Sequence, residues 1–331
     1  MAKSWSEKEI MGLMSGFQPA CVLAAAAELD VFSVLATKAM TGAEFSDACG
    51  TDARATRIVL DALVALDLLA KRGDAYSVVE GATFLTGQGE RSVLPMVQHL
   101  ANCLRSWSHL ARVVQTGHPA ERGPSIRGEQ GDLESFIGAM NAFTAPDVDP
   151  VIARLDLTDC CHVLDIGGAS GNWTLGFLRA HPQARATLFD LPDVIPLAQQ
   201  RLEQAGMMDR LELVAGDYNT DDLPVGADLA WLSAIVHQNS RSQNRALYAR
   251  IYAALADQGT LMIRDVVMDS TRTQPQAGAL FAVNMLVNTP GGDTFTLEEY
   301  EEDLRAAGFH DIEQVYQDEW MNSLVRAMKH V

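Results

Sequence analysis

Cysteine is scarce and scattered in this chain. The five residues, Cys21, Cys49, Cys103, Cys160 and Cys161, form no C-x-x-C pair. Adjacent Cys160 and Cys161 are poorly placed to share a metal ion or form an ordinary disulfide, so reduced thiols in a cytoplasmic setting are expected. The eight histidines offer no H-x-x-x-H spacing, and no metal site is expected. Basic residues are also few: 25 Lys and Arg face 43 Asp and Glu, a formal charge of −18. Such a surface repels nucleic-acid phosphates and anionic lipid, so neither is an expected partner. A small neutral or cationic ligand suits it better. No apolar run is expected to reach the roughly 18 residues of a membrane span, and Met1-Ala2-Lys3-Ser4-Trp5 lacks the layout of a secretory signal. A dinucleotide fingerprint, G-x-G-x-x-G, is absent too. From Gly167 its third and sixth positions are Ala169 and Asn172, and from Gly168 they are Ser170 and Trp173.

What is present is enough chain for two cores, 331 residues of which 48% are apolar. Residues 1–95 read as helices followed by a hairpin. One helix is expected over about 7–29, bent at Pro19. Thr41 and Glu44 form a capping box that starts a second helix. Gly50-Thr51-Asp52 leads into a third, with Ile58, Leu60, Leu63, Leu66, Leu68 and Leu69 mostly on one face. Lys71-Arg72-Gly73-Asp74 then turns into Tyr76-Ser77-Val78-Val79. This is a winged-helix pattern, but its third helix sets Asp52, Asp61 and Asp67 against only Arg54 and Arg57. A dimerisation platform is therefore expected in place of DNA binding. Residues 96–145 read as connecting helices, with a loop from Gly117 to Gly131.

Residues 146–331 alternate strands and helices. Strands are expected at 162–166, 185–190, 211–215, 228–233 and 260–266, with helices at 172–180, 193–205 and 242–256. That alternation predicts a parallel sheet covered on both faces, an α/β fold. Thr296 and Glu299 form another capping box, Gly308 is a natural helix stop, and short strands near 312–316 and 323–328 close the chain.

The chemistry is concentrated at the strand ends. Val163-Leu164-Asp165-Ile166-Gly167-Gly168-Ala169-Ser170-Gly171 is a strand, a small-residue turn and a helix start, with the spacing D-x-G-x-small-x-G. Small residues let the backbone press on a ligand, and free helix N–H groups favour a polar or anionic group. Asp190 ends the second strand, where a carboxylate can accept both hydroxyls of a ribose. Asp217 and Tyr218 follow the third, placed to accept from an adenine amine and to flank its ring. His237 lies just past the fourth, where an imidazole can take a proton from a phenol or enol.

Together LDIGGASG, FDLP, AGDY, IVHQN and NTPGG resemble the S-adenosylmethionine (SAM)-dependent O-methyltransferases of the caffeic acid and acetylserotonin O-methyltransferase family. The resemblance covers nearly the whole chain. It implies a Rossmann-like sheet behind an N-terminal winged-helix-like dimerisation domain, a homodimer, and SAM as cofactor with S-adenosylhomocysteine (SAH) as product. It further implies that Gly167, Gly168 and Gly171, after Asp165, line the methionine part of SAM, with Asp190 on the ribose and Leu191, Asp217 and Tyr218 around the adenine. His237 would be the general base and Asp265 the acid that orients it. Phe136, Met140, Met285 and Asn288 match segments that line the acceptor. The departures are Ala169 as the middle residue of the turn, Gln238-Asn239 after the histidine where plant members have Asp-Trp, Ser233 in place of a cofactor-site lysine, and Thr294 in place of a second acid. Methyl transfer to carbon or nitrogen, SAM use without methyl transfer, and a SAM-sensing regulator remain open at this level.

Overall fold

A computed structural model describes residues 3–87, 92–158 and 160–330. The chain divides into two compact units, Met1–Arg105 with Arg122–Phe143, and Ser106–Glu121 with Thr144–Val331.

In the first unit, helices α1 (Glu7–Ser15), α2 (Phe17–Glu28), α3 (Val31–Thr37), α4 (Gly42–Cys49) and α5 (Ala53–Ala65) precede an antiparallel hairpin, β2 (Leu69–Arg72) and β3 (Ala75–Val78). A two-residue strand between α3 and α4, β1 (Met40–Thr41), pairs with β3. Phe32, Leu35, Phe45, Leu60, Leu63 and Tyr76 form the core. The expected single helix over 7–29 is two helices broken at Gly16, not at Pro19. Pro19 falls in the first turn of α2, where a backbone N–H has no helical partner to lose. Residues Glu7–Glu28 are nevertheless apolar enough to cross a membrane by length and composition, contrary to expectation, because their charges sit only at the two ends. Only Ala26 and Ala27 of that stretch are buried. On α5 the apolar stripe is narrower than expected: Leu60 and Leu63 are buried, whereas Ile58 and Leu66 are exposed.

Helices α6 (Leu94–Trp107), α7 (Leu110–Thr116) and α8 (Gly128–Thr144) follow. Gly117, in the left-handed region at φ 73°, ends α7, and the expected loop stops at Gly128, where α8 begins.

The second unit is built on a seven-stranded sheet. Its strands are β4 (His162–Ile166), β5 (Arg185–Asp190), β6 (Leu211–Ala215), β7 (Ala227–Ser233), β8 (Leu255–Asp265), and the hairpin that follows two short strands, β9 (Val267–Met268) and β10 (Phe295–Thr296). That hairpin is β11 (His310–Tyr316) and β12 (Ser323–Met328), and the sheet order is β11-β12-β8-β7-β4-β5-β6. Pairings from β6 to β8 are parallel, while β12 runs antiparallel to β8. Helices α9 (Val148–Ile152), α10 (Asn172–Ala180) and α11 (Ile195–Gln204) come before β6. The later helices are α12 (Arg241–Ala254), α13 (Gln276–Asn288) and α14 (Leu297–Ala306).

Alternation along the strands feeds two cores. Ala230, Leu232, Leu261 and Ile263 pack against Leu247, Tyr248, Tyr300 and Leu304 of α12 and α14. Leu229, Trp231 and Met262 pack against Trp173 and Phe177 of α10 and Val148 and Ile152 of α9. Adjacent residues at the end of β8 therefore face opposite sides of the sheet. Strand β8 begins five residues before its expected start and β11 two before, and α14 carries the expected capping box, Glu299 N–H donating to Thr296 Oγ1. Ala307 caps α14 and Gly308, at φ 99°, turns the chain away.

Candidate active site

The glycine turn between β4 and α10 is held by contacts that leave no room for side chains. A Cβ on Gly167, whose φ is +69°, would meet Ile235 at 2.6 Å, and one on Gly168 would meet Leu188 at 2.7 Å. Asp165 does not point out of the turn. It is buried, and its Oδ2 accepts from Thr174 N–H (3.1 Å) and Thr174 Oγ1 (2.6 Å), clamping β4 to the first turn of α10. Burial pushes its carboxyl up to about 7.

Asp190 closes the turn from the next strand. Its Oδ2 accepts from Ala169 N–H and its Oδ1 from Leu191 N–H, both at 2.7 Å. Burial raises its pKa, while those two N–H groups pull it down. Each carboxylate oxygen keeps a second lone pair for another donor. Ala169 adopts φ 48°, a left-handed conformation that favours glycine, and its N–H is thereby aimed at Asp190. Leu191, beside it, leaves 46% of its surface exposed. Past β6, Asp217 Oδ1 accepts from Asn219 N–H (2.8 Å), and the Tyr218 ring lies 4.0 Å from where a Gly167 Cβ would stand. Burial and the Asp217 and Asp190 carboxylates raise the Tyr218 hydroxyl to about 12. Asp190 and Tyr218 thus approach the turn from successive strand ends, with Leu191 and Asp217 their chain neighbours.

His237 stands in a 3-10 turn, Val236–Gln238, just after β7. Its ring is buried, with Nδ1 2.8 Å and 3.0 Å from the two carboxylate oxygens of Asp265. The His237 backbone N–H donates to Asp265 as well (3.3 Å), so one carboxylate fixes both the ring and its backbone. An Nδ1–H donated to a carboxylate leaves Nε2 unprotonated in the neutral ring. Phe281 of α13 packs edge-on against the imidazole at 4.8 Å, and Trp320 packs on Phe281 at 5.2 Å. Sequence reasoning missed both aromatics; neither sits in a periodic or spaced pattern that marks it.

The departures have structural explanations. Asn239, where the plant members have an aromatic, is buried and donates to Asn244, which in turn donates to the Val236 carbonyl. Thr294 is buried and donates to the Gly278 carbonyl. The NTPGG segment wraps the histidine: a Cβ on Gly292 would stand 2.5 Å from the His237 carbonyl oxygen, and Asp293 N–H donates to that oxygen at 3.0 Å.

Ser233, at the end of β7, accepts at Oγ from Arg264 Nη1 (3.1 Å). Arg264 was also missed, although a cation in the apolar run Leu261-Met262-Ile263 was a readable signal. Burial lowers its guanidinium to about 10. On α13, Met285 is buried, and Asn288 Nδ2 donates to Asn284, whose Oδ1 also accepts from Trp107 Nε1 at 2.8 Å. Phe136 and Met140 belong to α8 in the first unit, where Phe136 packs on His99 at 5.2 Å. Among the described residues, no group of three or more His, Cys, Asp or Glu side chains is placed to hold a metal ion.

Comparison with known proteins adds to this geometry. A family model described as an O-methyltransferase domain matches residues 107–310, and one described as an O-methyltransferase dimerisation domain matches residues 11–87. The chain is 33% identical to tetracenomycin polyketide synthesis 8-O-methyl transferase TcmO of Streptomyces glaucescens, over 92% of this chain and 91% of that one. It is 31% identical to 3-hydroxy-5-methyl-1-naphthoate 3-O-methyltransferase of Streptomyces sahachiroi, over 92% and 89%. The solved structure of human N-acetylserotonin methyltransferase in complex with SAM is similar across 100% of both chains, with a TM-score of 0.81 at 26% identity.

Proposed function

Since the chain belongs to the SAM-dependent O-methyltransferases, we propose that it methylates a hydroxyl of a small aromatic or polyketide-like acceptor, with His237 as general base. The observation that carries this reading is the His237–Asp265 pair at the strand ends next to the glycine turn. Bound SAM supplies a methyl group on a sulfonium, already activated for displacement. The donor set suits it: Asp190 offers a carboxylate for the ribose hydroxyls, Asp217 and Tyr218 flank the adenine, and Leu191 gives it an apolar shelf.

The protein's own work is then alignment and proton removal. Asp265 holds the imidazole with Nε2 free to accept the acceptor's hydroxyl proton as the oxygen turns nucleophile. Holding nucleophile and methyl in line is worth up to about 7–11 kcal/mol. Met285 and Asn288 of α13 are the residues of this unit proposed to line the acceptor. Residues 1–95 act as the dimerisation domain of a homodimer, 96–145 link, and 146–331 form the methyltransferase domain. The similar methyltransferases TcmO and the naphthoate enzyme carry polyketide and naphthoate acceptors in their names, which supports a flat phenolic substrate.

The test is incubation with methyl-13C SAM and a panel of phenols, aryl amines and enolisable aromatics. An O-methyl carbon resonance together with released SAH is expected. Methyl appearing only on nitrogen or carbon, or SAH without methylated product, contradicts the proposal.

A further inference from the structure

The end of β8 carries two buried charges facing opposite ways. Asp265 turns to His237, whereas Arg264 turns to the α10 side and is wholly enclosed. A buried guanidinium is costly unless its donors are met. Nε donates to Asn322 Oδ1 (2.8 Å) and Nη1 to Ser233 Oγ, but Nη2 has no hydrogen-bond partner among the described residues. The nearest carboxylate, that of Asp147, stands 4.0 Å away, beyond hydrogen-bond reach. The guanidinium carbon lies 4.7 Å from the ring centre of Trp173, the second residue of α10, a cation–π contact that leaves Nη2 still unpaired.

The sheet order says what the buried Arg264 charge faces. Reading from β6 through β5 and β4 to β7, the adenine residues come first, then the ribose carboxylate, the glycine turn and the histidine. A cofactor laid along these strand ends with its methyl toward His237 carries its amino-acid tail to β7 and β8. That tail ends in a carboxylate. We propose that Arg264 is a positioning residue for this tail, acting through Ser233 on the cofactor carboxylate. Ser233 is half-buried, and because its oxygen accepts from Arg264, its own O–H is free to donate outward. The enclosed charge behind it is little screened by water. The inference rests on the reading of Asp190, Asp217 and Tyr218 as the adenosine end.

Calorimetric titration with SAH and with 5′-methylthioadenosine, which has the adenosine and thioether but no amino-acid tail, separates the two ideas. Arg264→Met is expected to weaken SAH about tenfold or more while leaving methylthioadenosine within about twofold, and Arg264→Lys to recover part of the loss. Ser233→Ala should weaken SAH selectively, by a smaller factor. Equal losses for both ligands, or none for either, overturn the proposal. If Arg264→Met does not fold, Ser233→Ala decides: an unchanged ratio of the two affinities contradicts it. Wild-type protein that binds neither ligand overturns the adenosine reading and this inference together.

Discussion

Two carboxylates with the same chemistry take different roles here because of what surrounds them. Asp265 is tied to an imidazole, whereas Asp165 is tied to Thr174 and shielded from water. Burial lifts Asp165 from the ordinary 3.8 to about 7, so the folded protein holds this proton more tightly than the unfolded chain. Its contribution to stability is full below about pH 4 and is lost as pH rises through about 7. Asp165→Asn keeps an acceptor for Thr174 and removes the titration. The variant's melting temperature is expected to gain on wild type between about pH 4 and 8, and parallel pH profiles contradict this. The motif spacing singled out Asp165 from the sequence, but its inward direction was not legible. That direction follows from Thr174, in the first turn of α10, donating to it from both backbone and side chain, a contact no spacing rule encodes.

Elements were easier to read than side-chain directions. β4, β5, β6 and α10 fall where periodicity and the small-residue turn put them; for β4 and β5 the reason is that buried parallel strands are apolar runs with sharp ends. The misses have local causes. Gly16, not Pro19, breaks the N-terminal helix, since proline is harmless in a first turn. β8 starts early because Leu255 pairs with Ala227 before the register shift. Capping boxes were the most dependable signals: Thr41 and Thr296 both cap as expected, and Ser240 forms a further box that the sequence reading missed. Thr296→Ala is expected to cost about 0.5–2 kcal/mol in urea unfolding, since it frees an N–H at the start of α14. No loss of stability contradicts the cap.

For the whole molecule, the open question is what covers the first helices. Ile10, Met11, Leu13, Met14 and Phe17 are all exposed, and α1 buries no residue. The same stretch begins the dimerisation-domain match at residue 11. A second copy of the chain is the partner proposed for that face. Leu13→Glu with Met14→Glu is expected to shift the protein to monomer in sedimentation at micromolar concentration, and an unchanged mass contradicts the dimer. The acceptor was not legible at any level, because the apolar residues of α8 and α13 that the resemblance singles out serve packing equally well. The claim that binds all these parts together is that His237 takes the acceptor's proton. Single-turnover methyl transfer in His237→Gln, beside calorimetric titration with SAH, tests it most directly. The expected result is a rate lowered by about 10²–10⁴ with SAH affinity unchanged. Methyl transfer at the wild-type rate would contradict it.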